Sequence, residues 1–302
     1  MMYDVIVIGG GPGGMTAALY SLRAGRKTMI FEEKMFGGQM AETPVIENMP
    51  GSPDAEGWKL AMEFSSQVEK LGPDICYEKI TRLNPQHGFT EVCTDKSCYQ
   101  ARKVILAMGV RRNKLGIPGE EKFSGRGVGW CAVCDGAFYR GQTVAVVGGG
   151  NTALEDALYL SNLAPKVYLL VRKEAFRAQQ VLVEQILSRE NIEVRFETAV
   201  KEIRGDTKVT EILVERQGTV ENLPLSGVFV AIGLSPDKTL YEGIVETDSG
   251  GYIVAGEDCR SSAPGIFAVG DVRTKEIRQI VTAIADGAVA AELSGRELQV
   301  EG

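Results

Sequence analysis

Histidine is almost missing from this chain: among 302 residues there is one, His87. A closed zinc site needs four ligands, so any such site here would have to be built almost wholly of cysteine. The six cysteines are too scattered for a disulfide framework. Basic charge is also short. Lys and Arg number 33 against 40 Asp and Glu, a net charge of −7, which argues against nucleic acid and anionic membrane as main partners. No apolar run approaches the ~18 residues of a membrane span. The opening Met1-Met2-Tyr3-Asp4 lacks the basic region of a secretory signal. The expectation is a protein of the cytoplasm, whose reducing conditions make a cysteine-pair disulfide catalytic and transient.

Glycine, by contrast, is plentiful at 36 residues, as in a chain with many tight turns and close backbone approaches to ligands. A length of 302 residues points to two domains.

The most informative stretch is Trp130-Cys131-Ala132-Val133-Cys134-Asp135. Two cysteines separated by two residues can close as a disulfide and reopen as a dithiol, and Asp135 can take or give a proton. A CxxC pair beside a βαβ pattern reads as redox-active. The alternatives are a zinc site completed by Cys93 and Cys98, and a pair of inert buried cysteines. Cys76, Cys93 and Cys98 have no spacing that assigns them a partner. His87 falls in a turn near Pro85–Gly88 and reads as exposed.

The chain opens on a nucleotide-binding pattern. Val5-Ile6-Val7-Ile8 reads as a buried strand, followed by Gly9-Gly10-Gly11-Pro12-Gly13-Gly14. Gly9, Gly11 and Gly14 match GxGxxG, a helix follows to about Leu22, and Glu32 ends the next strand. Glycines there let a pyrophosphate approach the helix N-terminus, and the acid can bond a ribose hydroxyl. Residues 58–71 have helical spacing, residues 75–100 alternate like antiparallel strands, and Val104–Leu106 is a strand running on to Gly109. Pro118-Gly119-Glu120-Glu121 reads as a linker.

The opening theme then repeats. A strand over 144–147 leads into Gly148-Gly149-Gly150-Asn151-Thr152-Ala153, which is GxGxxA, followed by a helix to Ser161 and a strand over 167–171. The position matching Glu32 is Val171, and Arg172, Lys173 and Arg177 follow. Bases in place of an acid suit a 2′-phosphate, although a charge cluster can also be a solvated turn. Val228–Val230 ends at Gly233 as Val104–Leu106 ends at Gly109. The strand Ile266–Ala268, its Gly270-Asp271 and a helix over 283–293 return to complete the first module. The fold class is therefore α/β, with two Rossmann-like three-layer domains, the second inserted in the first. Residues 1–113 and 245–302 form the first domain, whose Glu32 suits an unphosphorylated adenosine ribose, and 114–244 the inserted domain with the CxxC, whose bases suit NADP.

With two dinucleotide modules and a CxxC between them, the chain resembles the low-molecular-weight, bacterial-type thioredoxin reductases over essentially its whole length. The resemblance rests on GxGxxG at 9–14, GGQ at 37–39, ENMPG at 47–51, CAVCDGAFYRGQ at 131–142, GGGNTA at 148–153, FVAIG at 229–233 and Gly-Asp…Arg-Gln over 270–279. CxxCDG in front of the second glycine motif is the specific element, since related disulfide reductases carry the pair in the FAD domain. The alkyl hydroperoxide reductase flavoprotein is similar but has an extra N-terminal redox domain. Thioredoxin-reductase-like ferredoxin–NADP reductases lack the CxxC.

The resemblance implies FAD in the first module and NADPH in the second. By matched position, Gly9, Gly11, Pro12, Gly14, Glu32 and Glu33 would meet FAD. So would Gly37, Gly38, Gln39, Asn48 and Gly109, and from the C-terminal part Asp271, Arg278, Gln279 and Ile280. Gly148, Gly150, Asn151, Thr152, Ala153 and Gly233 would meet NADPH, with Arg172, Lys173 and Arg177 at its 2′-phosphate. The family's motif at that last place is His-Arg-Arg and a later Arg; Val171 and Lys173 depart from it, and Lys lacks the planar fork of Arg.

The activity implied is thioredoxin-disulfide reduction. Cys134 would take electrons from the flavin, Cys131 would form the mixed disulfide with thioredoxin, and Asp135 would manage the proton. The inserted module would rotate between two positions so that cysteines and nicotinamide use one flavin in turn. The resemblance also suggests a homodimer. The alternatives are ferredoxin or another donor in place of NADPH, another small dithiol protein in place of thioredoxin, and a flavoprotein sensor whose CxxC only reports redox state.

Overall fold

Val5-Ile6-Val7-Ile8 is apolar on both faces of a strand, so it requires cover on both. The computed structural model describes residues 2–43 and 45–301, and there β1 (Met2–Ile8) lies inside a sheet. Ile6 and Ile8 enter one core, Val5 and Val7 the other. The elements that follow are α1 (Pro12–Arg23), β2 (Thr28–Phe31), α2 (Gly57–Glu69), β3 (Asp74–Cys76), β4 (Ile80–Gln86), β5 (Phe89–Thr94) and β6 (Cys98–Leu106). The alternation over 75–100 is thus antiparallel pairing of β4, β5 and β6, as expected.

The chain next passes through β7 (Arg111–Arg112) into β8 (Val128–Gly129), α3 (Ala132–Asp135), β9 (Val144–Val147), α4 (Asn151–Ser161), β10 (Val167–Leu170), α5 (Gln180–Leu187) and β11 (Ile192–Arg195). β12 (Thr198–Gly205), β13 (Val209–Arg216), β14 (Thr219–Pro224), β15 (Gly227–Val230) and β16 (Leu234–Ser235) follow, then β17 (Ile266–Ala268) and α6 (Ile280–Glu301).

Two compact units result, Met1–Arg111 with Ser235–Gly302, and Arg112–Leu234. In the first, β3-β2-β1-β6 are parallel and β17 joins the C-terminal half of β6, whose N-terminal half pairs with β5. α1, α2 and α6 cover one face, and residues of β4, β5 and 241–272 the other. In the second, the parallel order is β11-β10-β9-β15-β8, with α4 and α5 on one face and the antiparallel β12-β13-β14 on the other. Each unit therefore has three layers, as the repeat in sequence implied.

The crossings fall elsewhere than the 114–244 expectation placed them. The chain passes between units at 111/112 and 234/235, and β7 and β16 pair with each other there. Pro118-Gly119-Glu120-Glu121 is no linker. Glu120 is buried and its carboxylate accepts hydrogen bonds from the Leu115 and Gly116 amides, both 2.8 Å. At the other end, Tyr241 and Val245 lie in the core of the first unit, and the Tyr241 hydroxyl donates to the Gly251 carbonyl at 2.8 Å. The expected helix over 283–293 extends to both sides as α6. Its Gly287 lets it rest on α1, where a Cβ would strike the Gly13 carbonyl.

α6 also anchors the segment after β17. Asp286, nearly buried, accepts from the Gly270 amide (2.9 Å), from Arg273 through Nε (2.9 Å) and Nη2 (2.7 Å), and from Lys275 Nζ (2.7 Å). Burial alone would raise this carboxyl; the hydrogen bonds from Arg273 and Lys275 outweigh it and hold it below the usual range. A depressed carboxylate gives stability that is present above its unfolded pKa of about 4 and lost as pH falls through the native value. Asp286→Asn leaves two cations buried, so we expect a loss of about 3–5 kcal/mol at neutral pH. Urea unfolding across pH 3 to 8 should also show a flatter acid limb than wild type; a loss under about 1 kcal/mol, the range of exposed pairs, refutes the assignment.

Candidate active site

In the first unit the glycine turn is dictated by contact between backbones. Gly9 has φ +108°, and a Cβ there would strike the Ala107 carbonyl at the end of β6; a Cβ on Gly14 would strike the Gly9 carbonyl. Gly11 faces open space and is the N-cap of α1, with Pro12 in the first turn and no side-chain cap. No acid occupies the first turn of α1. Its free amides and dipole thus suit an anion.

Of the expected neighbours, Glu32, Gly37 and Gly38 meet this turn. Glu32 accepts from the Gly10 amide (2.8 Å) and the Lys34 amide (2.9 Å), and the Gly37 amide donates to the Gly10 carbonyl (2.8 Å). Gly38 lies against the Gly11 Cα, and Gln39 Nε2 donates to the Val110 carbonyl (3.0 Å), next to Gly109. Asn48 Nδ2 donates to Gln279 Oε1 (2.8 Å). Arg278 lies over the Tyr252 ring and its Nε donates to the Asp271 carbonyl (3.4 Å), while Ile280 begins α6. Glu33 is exposed and pairs with Arg111 at 3.7 Å. Gly37 has a packing reason as well, since a Cβ would press on Ala61 and Ala41.

Asp271 tests the fit to a dinucleotide. Its Oδ1 is buried and finds no hydrogen-bond partner among the described residues, and burial raises its carboxyl pKa. An orphaned buried acceptor is costly, and a ribityl or ribose hydroxyl would satisfy it. With the open face of Gly11 and the uncapped helix, the residues present fit FAD.

The second unit repeats the device. Gly148 has φ +154°, and its Cβ would strike the Ala231 carbonyl at the end of β15, two residues before Gly233. Ala153 is fully buried, and Gly150 caps α4 without a side-chain cap. Asn151 Oδ1 accepts from the Gln179 amide (2.8 Å), and the Arg177 amide donates to the Gly149 carbonyl (2.7 Å). These two bonds fasten the 172–179 segment to the glycine turn. Thr152, Arg172, Lys173 and Arg177 are exposed there, while Val171 is buried.

In the same unit, β8 at the sheet edge delivers Cys131 as the N-cap of α3. Cys131 and Cys134 are joined as a disulfide, Cα atoms 5.3 Å apart, and the Cys134 amide donates to Cys131 Sγ (3.1 Å). Cys131 and Asp135 are half-buried and Cys134 is exposed. The pair is not inert core, and Cys93 and Cys98, read as its possible zinc co-ligands, are instead bonded to each other. That second disulfide had no signal in the spacing.

One site residue escaped the sequence reading. Asp156 on α4 lies beside the Ala132 amide, the first of α3, whose dipole pulls on its carboxyl. A signal existed: Asp156 falls between Ala153, Ala157 and Leu160 on the apolar face of its helix. Burial pushes its carboxyl up to about 6, against the pull of Arg112. A raised acid favours folding below its unfolded pKa and loses that contribution as pH rises through the native value. At pH 8 ionised Asp156 therefore costs about 1–3 kcal/mol. Asp156→Asn keeps the size and polarity of the side chain and removes the charge. We expect it to be more stable than wild type by that amount at pH 8, with the gap narrowing toward pH 4 in urea titrations; equal stability at both pH values removes the burial argument.

Comparison with known proteins agrees with this geometry. The pyridine nucleotide-disulphide oxidoreductase family matches residues 3–287. The thioredoxin reductase of Listeria innocua is 42% identical over 294 residues, covering 96% of this chain and 92% of that protein. That of Treponema pallidum is 40% identical, covering 96% and 95%. The crystal structure of Lactococcus lactis thioredoxin reductase superposes with a TM-score of 0.86 at 38% identity, covering 99% of both chains. Glycine turns, cysteine pair and relatives agree: the chain belongs to the pyridine nucleotide-disulphide oxidoreductase family, among its thioredoxin reductases.

Proposed function

We infer that this chain is an FAD-dependent thioredoxin-disulfide reductase in which electrons reach Cys131–Cys134 from NADPH and leave to oxidised thioredoxin. The observation that carries this reading is the closed Cys131–Cys134 pair at the head of α3, in a unit that has its own glycine turn. FAD, when bound, supplies hydride acceptance and two-electron transfer to a disulfide.

The chain's own groups do the rest. The amides at the start of α1 would hold the pyrophosphate of FAD, and Glu32, fixed by the Gly10 and Lys34 amides, would accept from a ribose hydroxyl. Asp271 Oδ1, buried and without a partner among the described residues, would accept from one of the FAD hydroxyls. Gly148–Ala153 hold the pyrophosphate of NADPH, and exposed Arg172, Lys173 and Arg177 meet the 2′-phosphate. Cys134 would face the flavin; the Cys131 thiolate would attack the partner disulfide and release one partner thiol, and Cys134 would then attack Cys131, release the second partner thiol and close the Cys131–Cys134 bond again. Asp135 takes and returns the proton of the attacking thiol.

Among the described residues no helix is long and apolar enough to cross a membrane. We place the enzyme in the cytoplasm as a homodimer; the first follows from sparse cysteine and the second from family resemblance. Thioredoxin, rather than another small dithiol protein, is the substrate that the named relatives favour.

Cys131→Ser and Cys134→Ser should each abolish thioredoxin reduction while NADPH still bleaches the flavin in stopped flow. Appreciable turnover in either variant would return the pair to a sensing role. Arg172→Ala and Arg177→Ala should each weaken NADPH about ten- to a hundredfold, as for loss of one charge-assisted bond, with little change for NADH. Reduction of the flavin by ferredoxin and by neither nucleotide overturns the donor assignment.

A further inference from the structure

Cys93 and Cys98 lie directly opposite each other on β5 and β6, Cα atoms 4.1 Å apart, and are joined as a disulfide. They are only five residues apart, and the Thr94 amide donates to the Ser97 carbonyl at 2.8 Å inside the loop. The hairpin thus already closes the loop that the crosslink closes, and little further chain freedom is removed. As a stabilising crosslink it therefore adds little.

The two sulfurs differ in access and in environment. Cys98 is exposed, whereas Cys93 is buried at 3%. Arg82 on β4 is paired across the sheet with Cys93 and directs Nη2 at its Sγ, 3.5 Å away. Glu91 holds the same guanidinium at 3.5 Å and has a carboxylate oxygen within 4.8 Å of the Cys93 sulfur, so the cation's advantage at that sulfur rests on its direct contact at 3.5 Å. A nucleophile from solvent can thus reach only Cys98, and the sulfur that departs has a cation beside it. A cation lowers a thiol pKa, and a leaving thiol of lower pKa departs faster.

We propose that Cys93–Cys98 is a second thiol-exchange site, separate from the Cys131–Cys134 path, that is opened by dithiols through attack at Cys98 with Cys93 as leaving group. The attacking thiolate forms a bond to Cys98 Sγ; the Cys93–Cys98 bond breaks, and its electron pair stays on Cys93 Sγ beside Arg82. The attacker's second thiol, deprotonated, then displaces Cys98, which takes a proton from solvent. Two electrons have passed, and the attacker departs as a disulfide. The natural reductant is a small dithiol protein of the class this enzyme reduces, a point that rests on the function proposed above. The opening itself does not, so dithiothreitol and glutathione are the probes.

The test uses the full chain with FAD, differential alkylation and peptide mass spectrometry, which report each cysteine pair separately. Excess glutathione should leave its adduct on Cys98 and a free thiol on Cys93. Arg82→Ala should slow opening of this pair by dithiothreitol about tenfold, the loss of one charge-assisted contact, with Arg82→Lys intermediate. Opening of Cys131–Cys134 in the same samples should not change. The proposal falls if the adduct lies on Cys93, if both cysteines are thiols in the air-oxidised protein, or if Cys93–Cys98 stays closed under dithiothreitol that fully opens Cys131–Cys134. An Arg82→Ala rate equal to wild type overturns the leaving-group role. Because thioredoxin turnover is measured apart, failure here leaves the reductase reading standing, and the reverse.

Discussion

The structure depends on two places where backbone meets backbone with no room for a side chain. Gly9 lies on the Ala107 carbonyl in the first unit, and Gly148 on the Ala231 carbonyl in the second. In both, the strand carrying the glycine is flanked by the strand that supplies the carbonyl, β1 by β6 and β9 by β15. The approach turns the chain sharply enough to start α1 or α4 at the strand ends, with the first helical amides uncapped. A methyl group at either position would move the helix away, along with the anion site that its terminus makes.

Around that constraint the first unit is held by apolar packing on both faces of its sheet and positioned by one buried charge cluster. Asp286 fixes Gly270, Arg273 and Lys275 at once, and so fixes the path on which Asp271 and Arg278 lie. Such a cluster contributes little net stability against an apolar substitute, but breaking one member is costly. Its value here is positional: Asp271 can be left with an unsatisfied oxygen because the backbone beneath it cannot relax. The second unit has a buried acid of its own in Asp156 of α4, which lies beside the first amide of α3.

Much of this was legible in the sequence because it is local. Gly9–Gly14 and Gly148–Ala153 follow β-branched runs, Glu32 ends the next strand, and Cys131 and Cys134 stand one helical turn apart. Each signal lies within about 25 residues and has one physical reading. What escaped depends on distant partners. Pro118-Gly119 has the composition of a linker, but Glu120 turns back to bond the Leu115 and Gly116 amides. Tyr241 carries no mark that it belongs to the first core. Cys93 and Cys98 meet only through the register of β5 on β6, which spacing does not fix. Asp286 reads as one more acid on a small-residue helix until Arg273 and Lys275 are brought to it.

The discontinuity of the first unit orders events during synthesis. β1 to β6 leave the ribosome first, but β17, which covers the free edge of β6, and α6, which lies on α1, come last. The inserted unit, contiguous from Arg112 to Leu234, is complete before either arrives. The later domain in the architecture is thus the earlier one to have a whole core, because domains fold as units as the chain emerges. Meanwhile the nascent first unit presents a bare parallel edge and the apolar face of α1 to whatever binds unfinished chains.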